Sequence, residues 1–595
     1  MDIWLQASQF DDKGAWVADT QFTHLMGSAY LMAPGVGRPV GAARTSFDAP
    51  NDGEFAAWLR TKDWVPEFHP GRFRVLVDGR QVGGEMGASG KRGWAWERAG
   101  TVRLAAGRHE LALDDLSGAF ARCDAIWLAT DLSATPDDDY ASTERLRARM
   151  APQPPVRDAG AFDVVVAGAG PAGVCAAVAA ARCGAKTALV YDRQIPGGNC
   201  SREIGIGTGG AATFHHPGWE ERGIVEEWNA LGLTGQGRKP DLTLGAERLF
   251  AKESNLSVFG GERIVAAETS ARPESPSRPG IVAAVSRNTL AGVRTRWRGT
   301  VFIDCTGDGW LGCYAGAEYR LGREAAAEFG EPQDLAPEKA DSLTMSGCLT
   351  GWKYEVRERP VPYETPLWAD VLPEGFMRDV DHLSRPWWLE HPNDIDDLHG
   401  GEEARDELLR YVFAYWGWLK NKSPLAKSLA ANAELVSVPW INGRRESRRL
   451  VGDHILSARD LMAGRMFEDR VCYGGWGLDV HDPMGMKSPV SNGWGPGTQP
   501  VEVPIYTIPF RCLYSRNVPN LLMAGRCISV THLALGSTRV GATCATEGQA
   551  AGTAAAMCAM EGISPRQLAI ARIGELQAKL LADGMRIPGL GKDQA

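Results

Sequence analysis

Three glycines, Gly168, Gly170 and Gly173, stand between an apolar run, Val164–Ala167, and a stretch of small residues that reads as a helix. A dinucleotide pyrophosphate requires this G-x-G-x-x-G spacing between strand and helix. The first glycine makes the tight turn, the second lets backbone approach the phosphates, and the third lets helix and strand pack closely. A helix opening at Pro171 directs its free amides and positive end at the same anion. Gly184 ends that helix, Thr187 to Tyr191 reads as a second strand, and Asp192 follows it. An acid about 20 residues beyond the glycines can hydrogen-bond a ribose hydroxyl. A bare glycine pattern is commonly a chance loop. Here strand, helix and acid stand in register, and the stretch reads as a dinucleotide site.

Other chemistries are poorly supplied. The chain has 12 cysteines and no C-x-x-C pair, so neither a thioredoxin-type couple nor a zinc site is expected, and no metal site is assigned. Cys175, Cys183, Cys544 and Cys558 sit in Ala/Gly-rich stretches as buried free thiols. A net charge of −9 argues against nucleic acid or an anionic membrane as partner, and no apolar run is long enough to span a membrane. The first residues show no basic region followed by an apolar core. No signal peptide is therefore expected, and a reducing cytoplasm is the expected setting.

The elements that must position this site divide the 595 residues into several units. Residues 1–135 alternate short β-rich pieces with turns: Ala56–Thr61, Phe73–Val77, Val102–Leu104, Leu111–Leu113 and Ile126–Leu128. Asp78-Gly79 marks a hairpin, and the spacing predicts an antiparallel β-sandwich. This unit holds Trp4, Trp16, Trp58, Trp64, Trp94, Trp96 and Trp127. Exposed, they could stack on sugar rings; the plainer reading is that they fill a core or dock the sandwich on its neighbour. Residues 136–158, Pro/Asp-rich around a short charged helix through Met150, read as a linker, which makes the sandwich separable. A nucleotide domain follows in two parts, 159–320 and 501–565. Strands are expected over Leu256–Thr269, from Gly280 onward and over Thr300–Asp304, with another at Leu521–Ala524. Between the two parts, 321–500 reads as an inserted mixed α+β substrate region, and 566–595 as a helical tail. The fold class is α/β: a Rossmann-like domain with an insertion, preceded by the sandwich.

Four further motifs carry a family resemblance: Gly197-Gly-Asn-Cys-Ser201, Phe302-Ile-Asp-Cys-Thr-Gly-Asp-Gly309, Arg445-Glu-Ser-Arg-Arg449, and Asn520 to Ser529 running on through Thr531 to Arg539. With the glycine unit they resemble the FAD-dependent oxidoreductases of glutathione-reductase-like fold, over about residues 160 to 565. The sandwich also looks like one fused to some members of this branch. The resemblance implies FAD as cofactor. It implies that Gly168, Ala169, Gly170, Pro171, Ala172 and Gly173, with Asp192 and Arg193, hold the ADP half. Gly198, Asn199 and Ser201 would lie along ribityl and flavin, Val265 would offer backbone to adenine, and Gly307 and Asp308 would close the nucleotide end. Gly525 and Arg526 would contact pyrophosphate or ribityl, and a helix opening near Gly548 would aim its dipole at the flavin pyrimidine. One departure is Asp192, where many relatives carry a longer Glu.

Only Cys200 follows the Gly-Gly doublet, so disulfide exchange is not expected; Cys200 reads as a small residue near the ring, with flavin attachment or a redox role as the other possibility. No second G-x-G-x-x-G unit offers a nicotinamide domain. Oxidation of an alcohol by hydride transfer to flavin N5 also needs a base. His532, just past Gly525-Arg526 and sharing its stretch with Arg539, is the first candidate against a structural histidine. His481, between Asp479 and Asp482, is the second, with His215 and His216 behind. Arg445, Arg448 and Arg449 could grip a carboxylate or pair with nearby acids. Two functions remain open: oxidation of a CH–OH group of a sugar, glycoside or polyol, and reduction or dehydrogenation of a C–C bond of an organic acid. Substrate identity, electron acceptor and oligomeric state stay unspecified.

Overall fold

The structure is a computed structural model that describes residues 1–213, 215–235, 239–272, 275–383, 386–392, 395–488 and 500–591. The stretch 489–499 of the expected insertion, and the end of the tail, lie outside the described residues.

Val164, Val165, Val166 and Ala167 are fully buried, as a strand covered on both faces must be. They end the strand Arg157–Ala167, the centre of a parallel array ordered Leu256–Phe259, Thr187–Val190, Arg157–Ala167, Arg294–Asp304 and Leu521–Met523. A hairpin, Glu262–Arg272 and Ser275–Asn288, extends the sheet antiparallel from the first half of Arg294–Asp304. The chain leaves the central strand to one side and returns on the other. The crevice beyond the carboxyl ends of Arg157–Ala167 and Arg294–Asp304 is therefore the topological switch point, where ligands bind in such sheets.

Two helices of small residues, Pro171–Arg182 and Gly541–Glu561, cross in close contact. A Cβ on Gly548 would lie 2.0 Å from the Ala172 oxygen, and one on Gly552 2.1 Å from that of Ala176. These glycines, four apart, share one face of the helix and let the backbones touch. Gly548 thus lies mid-helix. The expected helix opening there is corrected to Gly541: small residues all round give no amphipathic stripe from which a start could be read.

In the N-terminal unit, one sheet runs Val17–Asp19, Tyr30–Ala33, Ala121–Ala129, Gly53–Asp63, Gly93–Leu104, with Ile3–Gln6 also paired to Ala121–Ala129; the other runs Ala43–Ala49, Gly107–Asp115, Phe73–Val77, Arg80–Gln81. All pairings are antiparallel, as the sandwich reading requires. Asp78 and Gly79 both take positive φ in the two-residue turn that sets Val77 opposite Arg80.

Five of the seven tryptophans are buried, and Trp4 and Trp94 are half-buried. Trp16 packs edge-on to Phe73 inside the sandwich. Trp58, Trp96 and Trp127 lie on the outer face of the larger sheet under Leu146 and Met150. Those two residues belong to the helix Tyr140–Met150, whose Arg147 reaches 2.8 Å from the fully buried Asp124. The segment read as a linker is therefore in part a packed element. Trp64 meets Trp368 at 5.0 Å between ring centres. It belongs to one continuous apolar core that joins Phe22, Tyr30 and Phe120 of the sandwich to Trp352, Phe413 and Trp416 of the insertion. The centre of that insertion is the helix Gly401–Asn421. Among the described residues no helix is long and apolar enough to cross a membrane.

Candidate functional site

A cavity of about 580 Å³ opens at the switch point. Its nucleotide wall is Gly168, Ala169, Gly170, Pro171 and Ala172, with Asp192 and Arg193 at the end of the second strand and Thr306 and Gly307 beyond the fourth. Gly168 has a φ of 97°, and a Cβ there would lie 2.2 Å from the Cys305 oxygen. Gly173 stands off the cavity, where a Cβ would meet the Gly168 oxygen at 1.8 Å. Both glycines let the turn close, as the spacing predicts. Gly198, Asn199, Gly525 and Arg526 also line the wall.

Four expected contacts are placed otherwise. Ser201 and Val265 do not line the cavity, and Val265 falls at a register break in Glu262–Arg272. Asp308 sits behind Gly307, bonded to Arg444 at 2.7 Å. Burial alone would raise its carboxyl, but Arg444, Arg526 and Arg263 hold it below the ordinary range. Gly548 is the helix-crossing residue described above. The helix end that does reach the cavity is Val540-Gly541.

The donors present suit a pyrophosphate. Pro171–Arg182 begins at Gly170 with no side-chain cap, which leaves its first amides free to bind an anion. Arg526 lines the cavity and its Nη1 is buried without a partner. A Cβ on Gly170 would meet nothing within 4 Å, and its φ of −72° accepts any residue. Gly170→Val is accordingly expected to fold normally and yield colourless protein, because its side chain fills the phosphate path. Retention of full FAD by that variant, read from the visible spectrum, would refute the placement.

Beneath Gly525 lies Glu547, fully buried, with Oε2 accepting from the Gly525 N–H at 2.8 Å. Burial pushes this carboxyl well above its ordinary value, which favours its neutral form in the fold. Unfolding exposes it to a pKa near 4.5. Stability is therefore untaxed in acid and falls as pH rises past that value, by about 1.4 kcal/mol per pH unit until the folded pKa is reached. Glu547→Gln keeps an acceptor for Gly525 and removes the titration. Relative to the wild type, its melting temperature should rise between pH 5 and pH 7. A constant difference across that range would show that Glu547 is ionised in the fold.

The insertion supplies the other wall: Cys348, Trp387, Gly443, Arg444, Arg445, Trp476, Asp479 and His481, with Arg539 beside them. His481 Nδ1 is 2.7 Å from Oε1 of the buried Glu390, and Nε2 is 3.4 Å from Asp479 Oδ2. Arg445 binds Glu390 at 2.9 Å and Arg539 binds Asp479 at 3.0 Å. Burial would raise the Asp479 carboxyl, but His481, Arg539 and Arg445 hold it well below the usual range. Trp387 stands edge-on to His481 with ring centres 6.0 Å apart.

His532, the first candidate base, does not line the cavity. It is buried, with Nδ1 2.8 Å from Glu446 Oε2 and its backbone N–H donating to Glu324. The helix that it opens, His532–Thr538, turns it away from the cavity wall that Arg539 joins. Of the basic cluster, Arg445 reaches the cavity. Arg448 stacks on Trp310 and Tyr319, and Arg449 is buried against Glu324. His215 lines the cavity and pairs with Glu502, whereas His216 bonds the Val503 carbonyl. Burial pushes the Cys200 thiol up to about 12, so it lines the cavity as a neutral side chain. Sequence reasoning missed Glu390, Trp387 and Trp476. Glu390 lies 91 positions from His481 with no spacing to betray it.

A family model described as FAD dependent oxidoreductase matches residues 163–580. The soluble pyridine nucleotide transhydrogenases of two Pseudomonas putida strains are 37% and 36% identical to this chain over 110 residues, 17% of this chain and 22% of each relative. The chain thus spans about a fifth of the length of these curated relatives. Among solved structures, the C-terminal CBM6 of LamC, a marine laminarinase from Zobellia galactanivorans, matches 22% of this chain and 99% of its own at 18% identity and a TM-score of 0.18. THI4 from Thermovibrio ammonificans matches 31% of this chain and 70% of its own at 16% identity and a TM-score of 0.21. Likenesses at this level say nothing about what the sandwich binds.

Proposed function

The chain belongs to the FAD dependent oxidoreductase family, and on that premise we propose that it oxidises a CH–OH group of a sugar, glycoside or polyol, with His481 as the base. Bound FAD supplies the hydride acceptor, held by the phosphate loop and by Gly198, Asn199, Gly525 and Arg526.

The observation that carries the reading is the His481–Glu390 pair on the cavity wall. A carboxylate can only accept, so Glu390 holds a proton on Nδ1, and Nε2 is the acceptor once a substrate hydroxyl stands in place of Asp479. The 3.4 Å from Nε2 to Asp479 is a long contact that a substrate hydroxyl can replace. As the carbinol carbon gives up hydride, Nε2 takes the hydroxyl proton, and Glu390 stabilises the imidazolium that results. Trp387 and Trp476 on the same cavity offer apolar faces of the kind that suit a pyranose ring.

The organic-acid reading needs arginines free to grip a carboxylate. Arg445 is already committed to the carbonyls of Ser346 and Trp387 and to Glu390, and Arg448 and Arg449 stand away from the cavity. Anaerobic mixing of the yellow protein with sugars, polyols and saturated organic acids separates the two. Bleaching of the flavin band by a hydroxyl compound is expected; bleaching by organic acids alone would overturn the reading.

A further inference from the structure

No residue before Gly168 lines the cavity, yet one residue of the sandwich is bonded, by side chain and backbone, to the segments behind both of its walls. We propose that Gln21 is a positioning residue for the FAD site. It lies between the strands Val17–Asp19 and Tyr30–Ala33, in the sandwich loop that faces the nucleotide domain and the insertion.

Gln21 is itself held. Its N–H and its Nε2 both donate to Asp19 Oδ1 at 3.0 Å, and Asp19 Oδ2 accepts from Arg405 at 2.8 Å and Tyr30 at 2.9 Å. From this fixed position the amide reaches across the interface. Nε2 donates to the Trp440 carbonyl at 3.0 Å, and Oε1 accepts from the Asn442 N–H at 2.8 Å. The next residues, Gly443, Arg444 and Arg445, are cavity wall. The Arg444 carbonyl accepts from Asn199 at 2.9 Å, and Arg445 holds Glu390, the partner of His481.

The backbone of Gln21 serves the opposite wall. Its carbonyl accepts from Arg263 Nη1 at 3.3 Å, and the same nitrogen lies 3.1 Å from Asp192 Oδ2. Asp192 lines the nucleotide end. Both donors of the amide and its oxygen are satisfied, which is the condition for burying a polar group without loss. Through Arg263 the residue holds Asp192, and through 440–442 it holds the segment that meets Asn199 and His481's partner.

Gln21→Met removes the three side-chain bonds and keeps the volume. The folded variant should bind FAD at least about tenfold more weakly, measured by recovery of flavin fluorescence on dilution. Trp64→Phe loosens the same interface away from this loop and serves as the matched control. It should lower the melting temperature while leaving FAD affinity near that of the wild type. Equal loss of affinity in both variants, or unchanged affinity in Gln21→Met, would overturn the proposal. An independent readout needs no variant. Removing FAD from the wild type should speed amide hydrogen exchange over residues 19–27 together with 440–445, although 19–27 lies outside the cavity. Exchange over 19–27 that is indifferent to FAD would also overturn it.

Discussion

His481→Ala is expected to keep its FAD and its visible spectrum while reduction of the flavin by substrate slows by about 10²–10⁴-fold, the usual contribution of a positioned general base. The variant leaves the phosphate loop, Arg526 and the Gly541 helix start untouched, so cofactor binding and chemistry separate. His532→Ala is the comparison. The His532 ring is bonded to the buried Glu446, so its removal leaves that carboxylate one partner short and lowers stability, with the rate of flavin reduction unchanged in the folded protein. Glu390→Gln probes the same pair from behind. The amide can donate to Nδ1 and favour the other tautomer, so the rate should fall although His481 is present. Wild-type rates in His481→Ala would remove it from the mechanism.

A chain beginning near Val156 is expected to be insoluble or free of FAD. The apparent linker invites such a cut. The interface forbids it. Arg122 sits bidentate on Asp406 at 2.9 and 2.6 Å, Lys62 lies 3.0 Å from Glu402 and 2.9 Å from Asp406, and Arg405 lies 2.8 Å from Asp19. All are buried. Removing one partner of a buried pair costs about 3–5 kcal/mol, because the remaining charge is left in an apolar setting. Truncation strips partners from Glu402, Arg405 and Asp406 together, against a whole-domain stability of about 5–15 kcal/mol. It also bares Trp352, Trp368 and Phe413, which pack against Phe22, Trp64 and Phe120. Soluble, yellow protein from this truncation would show that the sandwich is an independent module and that the shared core is dispensable.

The nucleotide half was legible because its constraints are local. Gly168, Gly170 and Gly173 lie within six residues, and Gly173 answers to the Gly168 oxygen inside the same strand–turn–helix unit. Asp78-Gly79 was legible for the same reason: a two-residue turn of that hand needs residues that tolerate positive φ. What the sequence concealed is set by pairing across distance. The helix Gly401–Asn421 hides its buried face in sequence because Glu402, Arg405 and Asp406 lie on it, paired with charges from the sandwich more than 270 positions away. The helix start at Gly541 was misplaced at Gly548 because small residues surround both. His532 was favoured by its nearness in sequence to Arg526, yet the helix that it begins turns it inward. The role proposed for His481 rests on Glu390 and Asp479, of which only Asp479 is a near neighbour in sequence.

The central claim is that two electrons leave a carbinol carbon as its hydroxyl proton passes to His481. Anaerobic single turnover with chemical trapping of the product tests it most directly, since a C–C dehydrogenation removes the same two hydrogens and mass alone would not tell them apart. One carbonyl trapped by a hydrazine reagent for each flavin reduced is the predicted result. Full flavin reduction with no trapped carbonyl, and a new C=C bond in the product, would contradict it.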